Sequence, residues 1–428
     1  MTPAARIQAA IDVLDALART DQPLDRLLRD WFRTRRYAGS KDRAAVAQRV
    51  FDIQRHRASL AWRMGSEQPR ALAIGSLISG GEAADAYFSG DGYGPAPLTN
   101  AEREIIAREP GSSAPLSARG EYPAFLEPEL RRAFGDDLLA EMIALQDRAP
   151  VDLRVNTLKR ERGEVLDALR SLGFAAEPTP FSPIGIRVAS GAGAAELGRG
   201  DLFKAGAFEF QDEAAQIASF LCQARPGERV LDLAAGAGGK ALALAAMMRN
   251  TGEIVACDIR EGALRNLAER AARAGVTIIR THVTEKEPPA GAFDLVLVDA
   301  PCSGSGTWRR QPELRWKLSP AIVSERMALQ DTLLDQAAAR LAKGGRLVYA
   351  TCSILPCENE DRVTAFLARH TDFSILPAAE SWCDSHAVPP RMEKFFKATP
   401  RATGMDGFFA AIFIHNDAAP RSLDKERG

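Results

Sequence analysis

An α/β fold is predicted for the larger part of this chain: a doubly wound sheet, preceded by an all-helical region and a small α+β module. Three observations carry that expectation. Downstream of Pro226, short β-branched runs alternate with amphipathic segments, the pattern of parallel strands joined by crossover helices. A glycine turn separates the first of these strands from the first helix. Upstream, apolar residues instead recur at helical spacing.

The elements follow in order. Between Arg6 and Met64, Ile7, Ile11, Leu14 and Leu17 recur at three- or four-residue steps. Asp21-Gln-Pro23 breaks the pattern, Leu24, Leu27, Leu28 and Trp31 resume it, and Val46, Val50 and Ile53 mark another helix. The Gly- and Pro-rich stretch from Ser89 to Tyr122 reads as a boundary zone. Helical segments from Pro123 to Gln146 are followed by a strand at Val151–Val155, a helix at Leu158–Leu172, a strand at Ile184–Val188, and Phe208–Leu221 leading into a helix. Strands are then expected at Val230–Leu233, Glu253–Cys257, Phe293–Val298, Arg346–Ala350 and Phe408–Ile414, with helices at Gly239–Met248, Arg260–Ala274 and Ile322–Leu341. The implied domains are 1–120, 121–222 and 223–416, with 417–428 as a polar tail.

Composition limits the function classes. A length of 428 residues suggests two or three domains, each with its own core, and a net charge of -1 argues against a histone-like polycation. The first seventy residues nevertheless carry about six more Arg and Lys than Asp and Glu, a bias that suits a polyanion. No signal-peptide h-region and no membrane-length apolar run is evident, so a cytoplasmic protein without a membrane partner is expected. Six cysteines at irregular spacing, without a CxxC pair, argue for reduced thiols and against a disulfide framework or zinc site. Cys222 and Cys257 read as core residues, and Cys357 and Cys383 give no signal. A monomer without a metal is the expectation.

The glycine turn, Leu231-Asp-Leu-Ala234-Ala235-Gly236-Ala237-Gly238-Gly239-Lys240, admits three ligands. A Walker A loop is disfavoured because Ala234 and Ala241 stand where Gly and Ser or Thr are needed. A dinucleotide fingerprint is closer, since Gly236-x-Gly238-x-x-Ala241 fits its permissive form and Asp258 ends the next strand, where it could accept ribose hydroxyls. S-adenosylmethionine wants the same ribose partner, and its charged methionyl end suits Asp232 better than a pyrophosphate cradle would. The downstream cysteine motifs favour this methyl donor, having no role in hydride transfer.

Those motifs, Asp299-Ala-Pro-Cys302-Ser-Gly304 and Thr351-Cys352-Ser353, both follow predicted strands, so both thiols are expected at the carboxyl edge of one sheet. A pyrimidine carbon 5 is a poor nucleophile until a thiolate adds to carbon 6 and pushes electron density onto it. Cysteine suits that strategy, being both a strong nucleophile and a good leaving group. Asp299 could hydrogen-bond the amino edge of a cytosine, and a second cysteine could assist release. The chemistry alone does not say which cysteine attacks.

Together the segments Leu231–Lys240, Asp258, Asp299–Gly306 and Thr351-Cys-Ser353 with Glu358-Asn359 resemble the RsmB/Sun (Fmu) family of RNA 5-methylcytosine methyltransferases. Asp152-Leu-Arg-Val-Asn-Thr157, Phe208-Glu-Phe-Gln-Asp-Glu213, Trp308–Trp316 and Asp406-Gly-Phe-Phe409 are similar to further family signatures, and the N-terminal helices resemble a NusB-like RNA-binding domain. The resemblance implies a Rossmann-like class I S-adenosylmethionine-dependent fold. It implies that Cys352 is the nucleophile and that Cys302 assists release. Ala234–Lys240 would line the donor site, Asp258 would hold the ribose, and Asp299 would lie between donor and base. Ala237 replaces the family's usual proline, Ala241 a frequent threonine, and Val283 an acidic residue near the adenine.

For the RNA, Arg309, Arg310 and Arg315, interleaved with Trp308 and Trp316, offer charges for phosphates and rings for stacking. Access to carbon 6 requires an unstacked cytosine, hence structured RNA with an exposed nucleotide. Ribosomal RNA is implied by the NusB-like resemblance, with transfer RNA an alternative. A DNA cytosine-5 methyltransferase and a non-catalytic RNA-binding assembly factor are the rival readings.

Overall fold

The structure, a computed structural model, describes residues 1–108, 114–189, 193–284, 288–382, 387–389 and 391–416. Pro110 and Gly111 of the boundary zone, Cys383 and the polar tail lie outside them. The chain divides into two compact units, Met1–Asp147 with Thr307–Ser319, and Arg148–Gly306 with Pro320–Gly428.

The first unit is helical. Its principal helices are Pro3–Leu17, Leu24–Arg33, Ser40–Arg55, Arg57–Met64 and Pro69–Ser79. Thr2 caps the first, its hydroxyl accepting the Ala5 N–H at 3.2 Å. The periodic residues of the sequence reading (Ile7, Leu14, Leu24, Val46, Val50 and Ile53) form one buried core. Helices Glu127–Phe134 and Leu138–Ala144, expected to open the α+β module, pack with this compact unit. Their carboxyl end is pinned there: Arg55 donates to the Gln146 carbonyl at 2.9 Å.

In the second unit, β1 (Val151–Val155), β2 (Ala176–Pro178), β3 (Gly185–Val188) and β4 (Phe208–Phe210) form an antiparallel sheet in the order β2-β3-β1-β4. The larger sheet comprises β5 (Arg229–Asp232), β6 (Glu253–Asp258), β7 (Ile279–Val283), β8 (Phe293–Asp299), β9 (Leu341–Thr351), β10 (Phe373–Leu376), β11 (Phe396–Ala398) and β12 (Phe408–His415). Its order is β10-β12-β9-β8-β5-β6-β7, with β11 paired to β12. From β7 to β9 neighbours run parallel, whereas β12 runs antiparallel between β9 and β10. A dinucleotide-binding sheet has six strands in the order 3-2-1-4-5-6. The inserted antiparallel strand departs from it.

Helices Gly239–Met247, Glu261–Ala274 and Pro320–Ala338 cover the faces of this sheet. The strand order reverses at β5, between β6 and β8, and there the carboxyl ends of β5 and β8 open a crevice. Cys222 and Cys257 are fully buried core members, as their surroundings in the sequence suggested. No described helix is long and apolar enough to cross a membrane. Among the described residues, no cluster of His, Cys, Asp or Glu could hold a metal ion.

Candidate active site

At the carboxyl end of β5, Asp232 is 1% exposed and its carboxylate oxygens make no well-formed hydrogen bond among the described residues, the Ala234 N–H alone lying near enough to favour the ionised form. Burial, reinforced by the Asp299 carboxylate, pushes its pKa up to about 7. The turn that follows is built on backbone that glycine adopts freely, with φ +56° at Gly236 and +78° at Gly238. A Cβ at Gly238 would also lie 2.4 Å from Leu267 Cγ, so the turn can close onto helix Glu261–Ala274 only without a side chain there. Ala234 and Ala235 lead into the turn, the Ala235 N–H donates to Cys257 O at 2.8 Å, and Arg270 donates to Ala237 O at 2.6 Å.

Asp258, at the end of β6, faces the same turn. Its carboxylate accepts the Gly236 N–H at 2.9 Å and the Arg260 side chain at 3.0 Å. Burial raises its pKa, but the Arg260 bonds outweigh burial and hold it below the ordinary carboxylate value. Both oxygens are therefore already engaged. Past it, Ile259 and the final residue of β7, Val283, are exposed apolar side chains beside the turn.

Lys240, 8% exposed at the start of helix Gly239–Met247, donates to Asp299 Oδ2 at 2.6 Å. Burial alone would lower the ammonium pKa; Asp299, Cys352 and Asp232 overcome it and leave the lysine firmly charged. Thus a single cation neutralises the acidic end of β8. Its ammonium also lies 5.1 Å from the Phe408 ring centroid.

The two cysteine loops meet. Cys302 Sγ and Cys352 Sγ are 3.4 Å apart, each half-buried just beyond the adjacent parallel strands β8 and β9. Their hydrogen bond, in which either sulfur can donate, added to burial, raises the Cys302 pKa well above the ordinary thiol value. What fastens the loops is Glu358, which is fully buried. It accepts the Ser303 N–H at 2.8 Å, the Ser303 and Ser353 hydroxyls, and Gln330 Nε2 at 3.1 Å. Asn359 adds a second tie, accepting the Thr351 hydroxyl at 2.6 Å and donating to Ser353 O at 3.0 Å.

Gly306 donates to Cys352 O at 2.9 Å and accepts the Gly407 N–H at 2.8 Å. A Cβ on Gly306 would lie 2.0 Å from Gly407 O, which explains why both segments need glycine at their crossing. Cys302, Cys352, Asp299, Lys240 and the turn at 234–239 are thus gathered at one edge of the sheet. Sequence reasoning quoted Glu358 without a role and missed Arg260. Glu358 sits in no spacing that announces its partner, because it reaches Ser303 across 55 positions, whereas Arg260 bonds Asp258 only two residues before it.

The basic-aromatic segment is placed elsewhere, within the helical unit. Arg315, expected to meet RNA, is 0% exposed and donates to Glu121 O at 2.7 Å and to Leu145 O and Trp308 O near the hydrogen-bond limit. Trp308 is fully buried and Arg309 is 5% exposed. For Arg315 the expectation of a phosphate contact is corrected, since its guanidinium is sunk among backbone carbonyls and serves packing, and Arg309 is likewise a buried side chain. Arg310 and Trp316 are half-buried, and Trp316 Nε1 donates to Gln54 O at 2.7 Å.

Residues 219–414 match the family 16S rRNA methyltransferase RsmB/F, and residues 122–194 match the ferredoxin-like domain of RsmF/B-like methyltransferases. The probable ribosomal RNA small subunit methyltransferase B of Synechocystis sp. is 32% identical over 303 residues, covering 69% of this chain and 67% of its own. The ribosomal RNA small subunit methyltransferase B of Vibrio vulnificus is 30% identical over 350 residues, covering 81% and 78%. Among solved structures, the crystal structure of PH0851 superposes with a TM-score of 0.77 at 25% identity, covering 97% of this chain and 99% of that one. NSun6 from Pyrococcus horikoshii shares the fold at a TM-score of 0.61 and 21% identity, over 69% of this chain and 98% of that one. With its inserted antiparallel strand, its glycine turn and its match over both domains, the chain belongs to the RsmB/F family of ribosomal RNA methyltransferases.

Proposed function

We propose that the protein transfers the methyl group of S-adenosylmethionine to carbon 5 of a cytosine in small-subunit ribosomal RNA, through a covalent bond between Cys352 and carbon 6. The observation that carries this reading is the pair of sulfurs 3.4 Å apart beside the Lys240–Asp299 ion pair. Two half-buried thiols in contact beside an ion pair are suited to sequential attack and release.

S-adenosylmethionine supplies an electrophilic methyl group on a cationic sulfur. The residues fit it: Asp232 leaves two buried acceptor oxygens without a well-formed hydrogen bond at the crevice, and the Gly236–Gly239 turn lets backbone approach closely. Asp258 would accept ribose hydroxyls once Arg260 yields part of its hold, and Ile259 and Val283 offer apolar walls to the adenine.

Cys352 attacks as the thiolate, the role that the resemblance of its Thr-Cys-Ser motif implies, with Cys302 3.4 Å away. Its sulfur bonds to carbon 6, and the electron pair of the 5,6 double bond moves to carbon 5, which takes the methyl group. Asp299 and Lys240 stand where they can hydrogen-bond the ring edge and balance its charge. The carbon 5 proton then passes to a solvent base, its electron pair re-forms the 5,6 double bond, and the carbon 6–sulfur bond breaks to return Cys352 as the thiolate, with Cys302 beside it assisting that release. Incubating the protein with labelled donor and undermethylated ribosomal RNA, followed by nuclease digestion, should yield labelled 5-methylcytidine. Label in another nucleoside, or none, rejects the cytosine reading.

A further inference from the structure

The small antiparallel sheet carries two segments that the transfer reaction leaves unused, Asp152–Thr157 and Phe208–Glu213. In β1 and β4, Leu153, Val155 and Phe208 belong to the core on one face of that sheet. Alternation sends Arg154 and Glu209, which lie opposite each other in register, to the other face. Both are buried there, at 4% and 3% exposure. Burial pulls the Arg154 pKa down to about 10, and the Glu209 charge works against that fall.

The polar face meets the glycine turn and the helix behind it. Arg154 donates to Gly239 O and to Gln211 Oε1. Arg270, on helix Glu261–Ala274, donates through Nε and Nη2 to Glu209 Oε2 at 3.1 and 3.0 Å, which leaves Nη1 for Ala237 O at 2.6 Å. The other oxygen of Glu209 accepts Arg273, whose guanidinium lies 4.0 Å from the Phe203 ring centroid and makes no hydrogen bond to the turn among the described residues. The helix that carries Arg270 is itself docked on the module. Asn156 donates to Ala274 O at 2.9 Å and Lys159 to Arg273 O at 2.7 Å, two of the closing carbonyls that a helix leaves open.

Two guanidiniums therefore hold two carbonyls of the turn, Ala237 O and Gly239 O, on either side of Gly238 with its φ of +78°. Glycine gives such a turn wide conformational choice, and a turn that is ordered only when the ligand arrives binds it more weakly. We infer that Arg270 and Arg154, steered by Glu209, are positioning residues for the methyl donor, fixing the turn in its binding shape before the donor arrives. The inference rests on the turn being the donor site. It gives the small α+β module a share in donor affinity.

The test is calorimetric titration of the intact protein with S-adenosylhomocysteine, joined to donor KM and kcat in the methyl-transfer assay. Arg270→Met should weaken S-adenosylhomocysteine and raise donor KM by about tenfold or more, with kcat at saturating donor within about twofold of the wild type. Arg270→Lys keeps the charge but cannot hold Glu209 and Ala237 O together, so about three- to tenfold weakening is expected. Arg273→Met is the control: it strips Glu209 of its other partner without touching the turn, so affinity should stay within about twofold even where the melting temperature falls. Wild-type affinity in Arg270→Met, or an equal loss in Arg273→Met, overturns the inference. Should Arg270→Met not fold, wild-type affinity in Arg270→Lys overturns it instead. A wild-type protein that binds no S-adenosylhomocysteine rejects the donor reading itself, whereas equal binding by the wild type and Arg270→Met rejects the positioning role alone.

Discussion

Two segments stood out in the sequence for their chemistry, the paired cysteine loops and the basic-aromatic run 308–317, and they come to opposite ends. The cysteine loops form a site, with both sulfurs together and a buried glutamate binding the loops to each other. In the other run, Arg315 and Trp308 are wholly interior to the helical unit. The difference lies in what each pattern specifies. A cysteine immediately past a buried parallel strand has its position fixed by the sheet. Alternating Arg and Trp specify only residue types that stack and bond, and a guanidinium can donate to backbone carbonyls as well as to phosphates.

That comparison can be broken first at Glu358. Glu358→Ala removes the acceptor shared by Ser303, Ser353 and Gln330, so methyl transfer should fall about 100-fold and stability by about 3–5 kcal/mol, as for other broken buried charges. Single-turnover rates and thermal melts check both. Unchanged transfer would show that the loops hold their places without the clamp.

Arg315→Ala is the counterpart in the helical unit. Burial already lowers the Arg315 pKa to about 9, and removing the side chain strands the Glu121, Leu145 and Trp308 carbonyls. A loss of about 3–5 kcal/mol is expected, with S-adenosylhomocysteine affinity unchanged within about twofold. A normal melting temperature combined with weakened RNA binding would restore the contact role that burial argues against.

Asp232 gives a test with a sign. Its folded pKa, about 7, lies above the ordinary 3.8, so the folded state holds the proton more tightly. The stability this contributes is fully present below pH 3.8 and is lost as pH rises through 7. Asp232→Asn should therefore match the wild type in melts at pH 4 and exceed it at pH 8 by on the order of 3 kcal/mol. Donor binding should fall at least tenfold at the same time. A variant less stable at pH 8 than the wild type would contradict the buried, poorly bonded carboxylate.

The smallest effect is expected at the turn. Gly238→Ala places a Cβ against Leu267 and strains a positive φ, costing about 1–3 kcal/mol and about tenfold in donor affinity by calorimetry. Affinity equal to that of the wild type would mean that the turn does not set the donor crevice.

Most of the larger sheet was legible because its buried strands are short apolar runs rich in Val and Leu, as at Phe293–Asp299. Strands β7, β10 and β11 were not. Ile279-Arg-Thr-His-Val283 has neither an apolar run nor a buried alternating face, and β11 is three residues long. In the site, Cys302, Cys352, Asp299 and Lys240 came from motifs attached to strand ends. Glu358 acts on Ser303 through folding that no local pattern encodes, and Arg315 shows that charge type alone does not reveal exposure.

The central claim, attack by Cys352 and release by Cys302, is tested most directly by trapping the adduct. Each cysteine is changed singly to alanine, the protein is incubated with donor and substrate RNA, and denaturing electrophoresis reads covalent complexes. Cys302→Ala should accumulate a protein–RNA band that survives denaturation, while Cys352→Ala should give none. A stable adduct with Cys352→Ala and none with Cys302→Ala would contradict the assignment.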